Sequence, residues 1–196
     1  MSYSVLITCS YIKSHPSIKI IKEVIESLDK TNIKPDTPII LAHDSLKRMG
    51  DNNLVYEQYL VNLREFIKNK PNIQIVRRET HGHLVGNVRN AFKYINTDYI
   101  LLIQHDFEFI REFDIEKIID DMQNNSNLKH IRFNKRITQK KPKNMDLKPS
   151  KDYVPYGTQH KCKNYTYTQT PGWSDNNHLV SSEYYRNIIL PECQDG

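Results

Sequence analysis

The sequence predicts an α/β fold in which a mostly parallel central sheet is flanked by helices on both faces. Short apolar runs alternate with segments whose apolar residues recur every three to four positions, the spacing of one helix face. Such alternation is typical of successive strand–helix–strand units with parallel strands. The alternation ends near Phe133, so we expect residues 134–196 to form a smaller irregular region of the same domain.

The predicted elements follow one another in a regular order. Strands are predicted at Val5–Ile7, Ile39–Ala42, Ile73–Val76, Tyr99–Ile103 and Ile131–Phe133. Helices are predicted at about residues 18–28, 54–68, 85–95 and 115–122. The first helix opens near Pro16 and the second ends before Pro71, because proline fits the start of a helix but not its interior.

Length and composition favour one domain with a substantial core, since the chain has 196 residues. No apolar stretch is long enough to span a membrane, and the N-terminus lacks the basic start and apolar stretch of a signal peptide. The three widely spaced cysteines, Cys9, Cys162 and Cys193, argue against a disulfide framework and indicate a reducing compartment.

The net charge of +5 is compatible with binding to a polyanion. Much of the excess lies in residues 134–151, a segment rich in lysine with one acid, Asp146. Its prolines and its lack of apolar periodicity predict a loop. A solvated loop, a flap that binds an acceptor and a contact to phosphates all remain open for it.

Polar residues follow each of the first four predicted strands, at the edge where open α/β sheets bind ligands. These groups are Thr8–Tyr11, His43–Asp44, Arg77–Glu79 and His105–Glu108. Tyr11 could stack on a base, and Asp44 could accept a hydrogen bond from a base or a ribose. Although loops are polar in general, the convergence of these groups at one edge predicts a nucleotide site.

The segment Gln104–Phe109 ends the most apolar run of the chain and carries two acids, Asp106 and Glu108. Side chains two residues apart leave the same face of an extended chain. Carboxylate oxygens suit Mg²⁺ or Mn²⁺, which share their coordination with substrate phosphates. An ordinary solvated strand end is the alternative, but the polar groups that follow the other strands favour a metal site.

Two glycines, Gly82 and Gly86, flank the start of the third predicted helix, and Arg89 follows on that helix. Glycine permits close approach to the backbone, and a helix N-terminus attracts anions. The segment is neither a Walker A loop nor a dinucleotide fingerprint. His81 and His83 lack a third ligand at a zinc-site spacing.

Taken in order, these pieces resemble the glycosyltransferases of the GT-A fold, particularly the family 2-like nucleotide-sugar enzymes. The matching pieces are Thr8–Tyr11, Asp44, the Gly-x-x-Arg-Asn segment Gly86–Asn90, and Asp106–Glu108, which is similar to the Asp-x-Asp metal motif. The resemblance implies a Rossmann-like sheet with the donor on residues 1–110 and the acceptor on residues 111–196. It implies donor contacts from Thr8, Ser10, Tyr11, Asp44, Arg89 and His105.

The C-terminal third carries a further piece, Pro171–His178. Inverting enzymes of this fold place in this region a carboxylate that takes the proton of the acceptor hydroxyl. The resemblance therefore implies Asp175 as general base, Trp173 as acceptor contact and His178 as a further contact to the metal, beside Asp106 and Glu108, or to the diphosphate. Core packing for Trp173, a turn for Asp175 and an ordinary strand position for His178 are the structural alternatives.

The resemblance implies a metal-dependent, inverting glycosyltransferase of the hexosyltransferase type. It would use Mn²⁺ or Mg²⁺ to move a sugar from a UDP- or GDP-sugar to a glycan or glycoprotein acceptor. Glu108 stands where the family more often has Asp, which leaves an inactive member of the fold open. Glu183 and Asp152 are the alternatives to Asp175 as general base.

Two other functions remain open, a nucleotidyltransferase and a non-catalytic domain that binds nucleic acid or nucleotide. The first loop, residues 8–14, has no glycine, which disfavours the nucleotidyltransferase. Nucleic acid is not the expected partner, because it leaves Asp106 and Glu108 without a role. We expect a cytoplasmic protein (in the host cytoplasm if viral), with peripheral membrane association as the alternative. A fragment or one domain of a longer polypeptide is also open.

Overall fold

A six-stranded sheet organises the protein, and its four parallel strands are the first four predicted from the sequence. The computed structural model describes residues 1–46, 52–133, 157–170 and 176–193. The strands of this sheet are β1 (Tyr3–Cys9), β2 (Ile39–His43), β3 (Ile73–Arg77), β4 (Tyr99–Gln104), β5 (His130–Arg132) and β8 (His178–Ser181). Their spatial order is β3-β2-β1-β4-β8-β5. The α/β prediction is therefore confirmed.

Strand β1 lies at the centre and pairs in parallel with both β2 and β4. In this register Val5 lies opposite Ile39 on one side and Leu101 on the other. Strand β8 runs antiparallel to β4 and β5 and lies between them. The C-terminal part of the chain therefore extends the sheet that the first part builds.

Helices cover both faces of the sheet. They are α1 (Lys19–Ser27), α2 (Asn52–Ile67), α3 (His83–Ala91), α4 (Ile115–Gln123), α5 (Ser182–Tyr184) and α6 (Leu190–Glu192). Short 3₁₀ turns extend α1 and α3 at Leu28–Thr31 and Phe92–Tyr94, and a π-helical stretch, Tyr185–Ile189, joins α5 to α6. Among the described residues, no helix is both long enough and apolar enough to cross a membrane.

Alternate residues of the strands point to two separate cores. Val5 and Ile7 pack with the apolar faces of α1, α2 and α4, whereas Leu6 packs with α3 and with the C-terminal helical residues. Strands buried on both faces are continuous apolar runs, which is why they were recognisable in the sequence.

Strand β8 and a short hairpin were not predicted. The hairpin consists of β6 (Gln159–Lys161) and β7 (Thr166–Thr168) and forms a separate two-stranded sheet. Its strands have three residues each and are mostly exposed, so they carry no apolar pattern. Strand β8 has only four residues and begins with a histidine, so its apolar run was too short to predict a strand in a region expected to be irregular.

One buried carboxylate attaches the hairpin to α4. Asp121 is fully buried, and its two oxygens accept four hydrogen bonds. Oδ1 accepts from the backbone N–H of Asn164 at 2.9 Å and from its side-chain amide at 3.1 Å. Oδ2 accepts from the backbone N–H of Tyr165 and from the hydroxyl of Tyr167, each at 2.9 Å. Three of the four partners are N–H groups, which can only donate, so this site requires acceptor oxygens on the side chain of residue 121.

We expect Asp121→Asn to destabilise the protein by roughly 2–3 kcal/mol, because an amide turns a donor toward groups that are themselves donors. The free energy of unfolding from urea denaturation measures this. Asp29→Asn is the matched control, since Asp29 is exposed and its carboxylate makes no hydrogen bond or ion pair with another described residue. Equal stability of the two variants would contradict the role of Asp121 as the anchor of the hairpin.

Candidate functional site

The segments that follow β1, β2 and β4 meet at one edge of the sheet, as the sequence predicts. The backbone N–H of His105 donates to the carbonyl of Thr8 at 3.1 Å, and that of Asp44 donates to the carbonyl of Cys9 at 3.0 Å. The three chain segments are therefore bonded to one another beyond the ends of their strands.

A turn exposes the two acids of the Gln104–Phe109 segment. The backbone N–H of Phe107 donates to the carbonyl of Gln104 at 3.1 Å. The side chain of Asn177, only 6% exposed, bridges the same two residues. Its Oδ1 accepts from the N–H of Gln104 at 3.0 Å, and its Nδ2 donates to the carbonyl of Phe107 at 2.8 Å. Asn177, which sequence reasoning did not single out, therefore fixes the shape of this turn.

Asp106 and Glu108 are both exposed, and neither forms a hydrogen bond or an ion pair with another described residue. Both line a cavity of about 540 Å³ that opens beside this turn. Two carboxylates with free oxygens fit Mg²⁺ or Mn²⁺, which proteins commonly bind through one or two carboxylates together with substrate phosphates and water. The pair is therefore compatible with the predicted metal-binding role.

The third predicted metal ligand, His178, is fully buried in β8, opposite Leu102 and Arg132. Its Nδ1–H donates to the carbonyl of Asn176 at 2.7 Å, and its ring stacks on Tyr185. Burial and the neighbouring His130 lower the pKa of His178 to about 3, so the ring is neutral.

The described part of the chain holds no complete metal-binding cluster made of protein side chains alone. Within the described ranges, no three His, Cys, Asp or Glu residues are grouped so that they could hold a metal ion. His178 as a ligand beside Asp106 and Glu108 therefore stays a prediction.

Asp44, predicted to contact the nucleoside, is buried and already bonded within the protein. Oδ1 accepts from the backbone N–H groups of Ser45 at 2.9 Å and Gly82 at 3.0 Å. Oδ2 lies 3.0 Å from Nδ1 of His81. These bonds hold the loop before α3 against the end of β2. A nucleoside contact by Asp44 stays a prediction that requires at least one of these bonds to be exchanged.

The two glycines at the start of α3 make room for Arg78. A Cβ atom at Gly82 or Gly86 would collide with the Arg78 guanidinium, whose Nε donates to the carbonyl of Thr80 at 3.0 Å. The two glycines predict that some group approaches the backbone closely at the start of α3. In the structure that group is the Arg78 side chain.

Side chains of helix α3 bond it to strand β2 and to the C-terminal helical segment. Asn87, which is buried, donates from Nδ2 to the carbonyl of Ala42 at 2.7 Å, at the end of β2. Arg89, predicted to contact the donor, donates to the carbonyls of Leu190 at 2.8 Å and Cys193 at 3.0 Å. The observed contacts of Arg89 therefore secure the C-terminal helical segment, and its donor contact stays a prediction.

The other predicted donor residues lie around the first loop. Thr8 is buried, Ser10 is exposed and His105 is partly buried. The Nδ1–H of His105 donates to the carbonyl of Thr8 at 3.2 Å, and its Nε2 is buried without a hydrogen-bond partner among the described residues. Tyr11 lies edge-on to the ring of His15, with centroids 5.4 Å apart, and is partly exposed.

A cluster of aromatic and imidazole rings, His15, His43, Tyr56 and Tyr59, packs beside the carboxyl ends of β1 and β2. His15 is buried and stacks on Tyr59 with centroids 3.8 Å apart. Tyr56 donates its hydroxyl hydrogen to the carbonyl of Asp44 at 3.1 Å. The same hydroxyl must therefore accept from Nδ1–H of His43, also at 3.1 Å. His43 is fully buried, and its Nε2 has no hydrogen-bond partner among the described residues.

Both histidines of this cluster are neutral at pH 7. Burial, and then the neighbouring His105, lower the pKa of His43 to about 3 and that of His15 to about 4. The cluster therefore supports the edge by ring packing and by hydrogen bonds between neutral groups.

The predicted general base and acceptor contact, Asp175 and Trp173, lie outside the described residues. The same holds for Asp152 and for the basic segment at residues 135–151. Glu183, the other alternative for the base, is described and exposed, and it lies on α5 directly after β8.

A cavity of about 540 Å³ opens beside Asp106 and Glu108. Its walls come from the turn after β4, from α4, from β5 and from the hairpin. Aromatic rings dominate the lining: Phe107, Phe109, Phe113, Phe133, Tyr165 and Tyr167. Asp106 and Glu108 thus lie where an exposed edge of the sheet meets a largely aromatic cavity.

The chain was compared with models of known protein families. The family model for Glycosyl transferase family 2 matches residues 51–189, which is more than half of the chain. A search of curated proteins finds no match.

Several solved structures resemble the protein. TarS from S. aureus has a TM-score of 0.56 and 14% identity, covering 95% of this chain and 29% of TarS. The structure described as S. aureus TarS 1-349 has a TM-score of 0.51 and 15% identity, covering 96% and 49%. The mannosyltransferase PcManGT from Pyrobaculum calidifontis, in complex with GDP-Man and Mn²⁺, has a TM-score of 0.50 and 9% identity, covering 68% and 35%.

At these identities the structural matches establish likeness of fold, and the chain spans less than half the length of each matched protein. Together with the family match, they confirm the GT-A fold predicted from the sequence. The division into donor and acceptor halves stays a prediction.

We expect the free energy of unfolding to fall as the pH drops from 7 to 5. The pKa of His43 is about 3 in the folded protein, well below the ordinary value of 6.5. Below pH 6.5 the unfolded chain therefore binds more protons than the folded protein. One such histidine lowers the free energy of unfolding by up to about 1.4 kcal/mol per pH unit, until the pH reaches its folded-state pKa.

Urea denaturation of the wild type and of His43→Asn at pH 7, 6 and 5 measures this dependence. The asparagine amide can still donate to Tyr56 but does not titrate, so the variant should lose less stability between pH 6 and 5. His160→Gln, which replaces an exposed histidine outside the ring cluster, is the control. Identical slopes for wild type and His43→Asn would contradict the prediction.

Proposed function

Because the chain belongs to glycosyl transferase family 2, we propose that it moves a sugar from a UDP- or GDP-sugar to a hydroxyl of a glycan or glycoprotein. The observation that carries the proposal is the pair Asp106 and Glu108, which are exposed at the carboxyl edge of the sheet and form no hydrogen bond or ion pair with another described residue. Both acids also line the aromatic cavity, so a donor on the edge and an acceptor in the cavity would meet beside them.

Asp106 and Glu108 would hold Mn²⁺ or Mg²⁺ together with the oxygens of the donor diphosphate. Such a metal, when bound, neutralises the charge that develops on the leaving diphosphate. The PcManGT structure contains GDP-Man and Mn²⁺, which supports the choice of a nucleotide sugar and a divalent metal. Glu108 has a longer side chain than the Asp usual at this position, so we assign the larger share of binding to Asp106.

The surrounding residues would position the donor. Thr8, Ser10, Tyr11 and His105 lie on or beside the first loop and are proposed to contact the nucleotide, with Arg89 and Asp44 as the further contacts. Asn177 holds the turn that carries the acids, so their approach to the metal costs little rearrangement when the donor binds.

The acceptor hydroxyl requires a base. We propose Asp175 for this role, with Trp173 packing on the acceptor, so that the hydroxyl oxygen attacks the anomeric carbon as Asp175 takes its proton. Transfer in one such displacement inverts the configuration at that carbon.

Three cysteines without disulfide partners support a reducing, cytoplasmic location.

A thermal-shift panel of UDP, GDP, ADP, CDP and TDP, each with and without Mn²⁺, tests donor binding. We expect one diphosphate to raise the melting temperature only with the metal. At 100 times its dissociation constant a ligand stabilises by about 2.7 kcal/mol, or roughly 5–10 °C for a chain of this length. A panel without any shift would refute nucleotide-sugar binding.

Asp106→Ala should reduce metal-dependent sugar transfer on the order of 100- to 1000-fold, because several kcal/mol of charge stabilisation at the leaving group depend on the metal. Glu108→Ala should lose less. Product formation with and without EDTA measures both. Asp36→Ala is the control, since Asp36 is exposed on the loop before β2, at the opposite end of the strands. Activity of Asp106→Ala equal to that of the control would refute the metal site.

A further inference from the structure

We propose that the cavity beside Asp106 and Glu108 binds the acceptor as an uncharged sugar ring and discriminates against phosphorylated or carboxylated sugars. The inference rests on the proposed function and narrows its acceptor to a chemical class. Three features of the described lining support it: its aromatic character, the fixed positions of its rings and its charge.

The aromatic lining suits the apolar face of a sugar. A volume of about 540 Å³ lies in the range of small-molecule sites. The face of an aromatic ring is electron-rich, so it attracts positively polarised C–H groups such as those along one face of a pyranose. Phe107 is partly exposed in the turn between the two acids, and therefore offers a ring next to the reacting centre.

The rings on the opposite walls are held in place before any ligand binds. The hydroxyl of Tyr165 accepts from the N–H of Asp114 at 3.2 Å, and the hydroxyl of Tyr167 donates to Asp121 at 2.9 Å. Phe133 packs against Phe109 at 5.4 Å between ring centroids. Because these hydroxyls and rings are already engaged, binding loses little side-chain freedom on those walls.

The charge of the lining disfavours an anionic acceptor. With Asp106 and Glu108 assigned to the metal, the other charged groups among the described lining residues are Glu112 and Arg111, which have opposite signs, so the lining offers no excess of positive charge to an anion. Carboxylates accept hydrogen bonds from sugar hydroxyls. A phosphate or carboxylate buried among aromatic rings needs a cationic partner, and the exposed Arg111 lies next to Glu112 in the chain. An uncharged sugar avoids this cost.

Saturation-transfer NMR with Mn²⁺ and the diphosphate that gives a thermal shift tests the proposal. The probes are methyl glucoside, galactoside, mannoside and N-acetylglucosaminide, with the corresponding 6-phosphates, methyl glucuronide and octanol. We expect at least one neutral methyl glycoside to bind at least tenfold more tightly than its 6-phosphate. Phe107→Ala should weaken that binding at least tenfold, and its melting curve without ligand shows whether it is folded.

Two further variants make the test specific. Tyr94→Ala, which removes a half-exposed aromatic side chain outside the cavity, should bind the glycoside as the wild type does. Glu112→Lys adds a cation at the lining. It should reduce the ratio between the affinities for the neutral sugar and its 6-phosphate at least threefold. An unchanged preference in Glu112→Lys would overturn the electrostatic basis of the proposal.

The remaining outcomes separate this inference from the proposed function. Equal or tighter binding of a 6-phosphate or glucuronide, or binding of octanol alone, would overturn the neutral-sugar acceptor. A diphosphate shift with Mn²⁺ but no binding of any sugar would overturn the acceptor inference and leave donor binding intact. The absence of both a diphosphate shift and sugar binding would overturn the proposed function together with the inference.

Discussion

The parallel pairing of β1 with β4 is the constraint on which the site depends. Each of these strands is apolar on both faces, so burial holds them at the centre of the sheet between two cores. Their polar continuations must then emerge side by side, and the bond from the N–H of His105 to the carbonyl of Thr8 extends the contact beyond the strands. The acids that follow β4 therefore reach solvent beside the first loop, although neither acid contributes to the core.

The C-terminal part of the chain completes this edge through hydrogen bonds made by side chains to the backbone. Asn177 enters the turn that carries Asp106 because β8 inserts next to β4. Arg89 makes a comparable link from α3 to the carbonyls of Leu190 and Cys193. Both are interactions between residues far apart in sequence, so the fold of the two regions is mutually dependent at the candidate site.

The sequence predicted the parallel core well, because β1, β2 and β4 are buried on both faces and therefore form nearly unbroken apolar runs, and β3 keeps three apolar residues around the exposed Gln74. It did not predict β8 or the hairpin, whose short and partly polar strands depend on the neighbours they pair with. Asp106 and Glu108 were recognisable from their position after β4. The role of Asn177, the ring cluster around His43 and the bonds that engage Asp44 could not be read from sequence, because each depends on contacts between distant segments.

The attachment of the hairpin to α4 through Asp121 has a consequence for how the protein can diversify. The carboxylate meets two backbone amides, one side-chain amide and one hydroxyl, so few side chains of the hairpin are fixed by its attachment. Neighbouring hairpin positions can change in size and polarity while the sheet and the edge near Asp106 keep their geometry. Of the three hairpin residues that line the cavity, Tyr165 and Tyr167 are bonded to Asp121, whereas Thr166 is exposed, so substitution at Thr166 can change this wall of the cavity while Asp106 and Glu108 keep their positions.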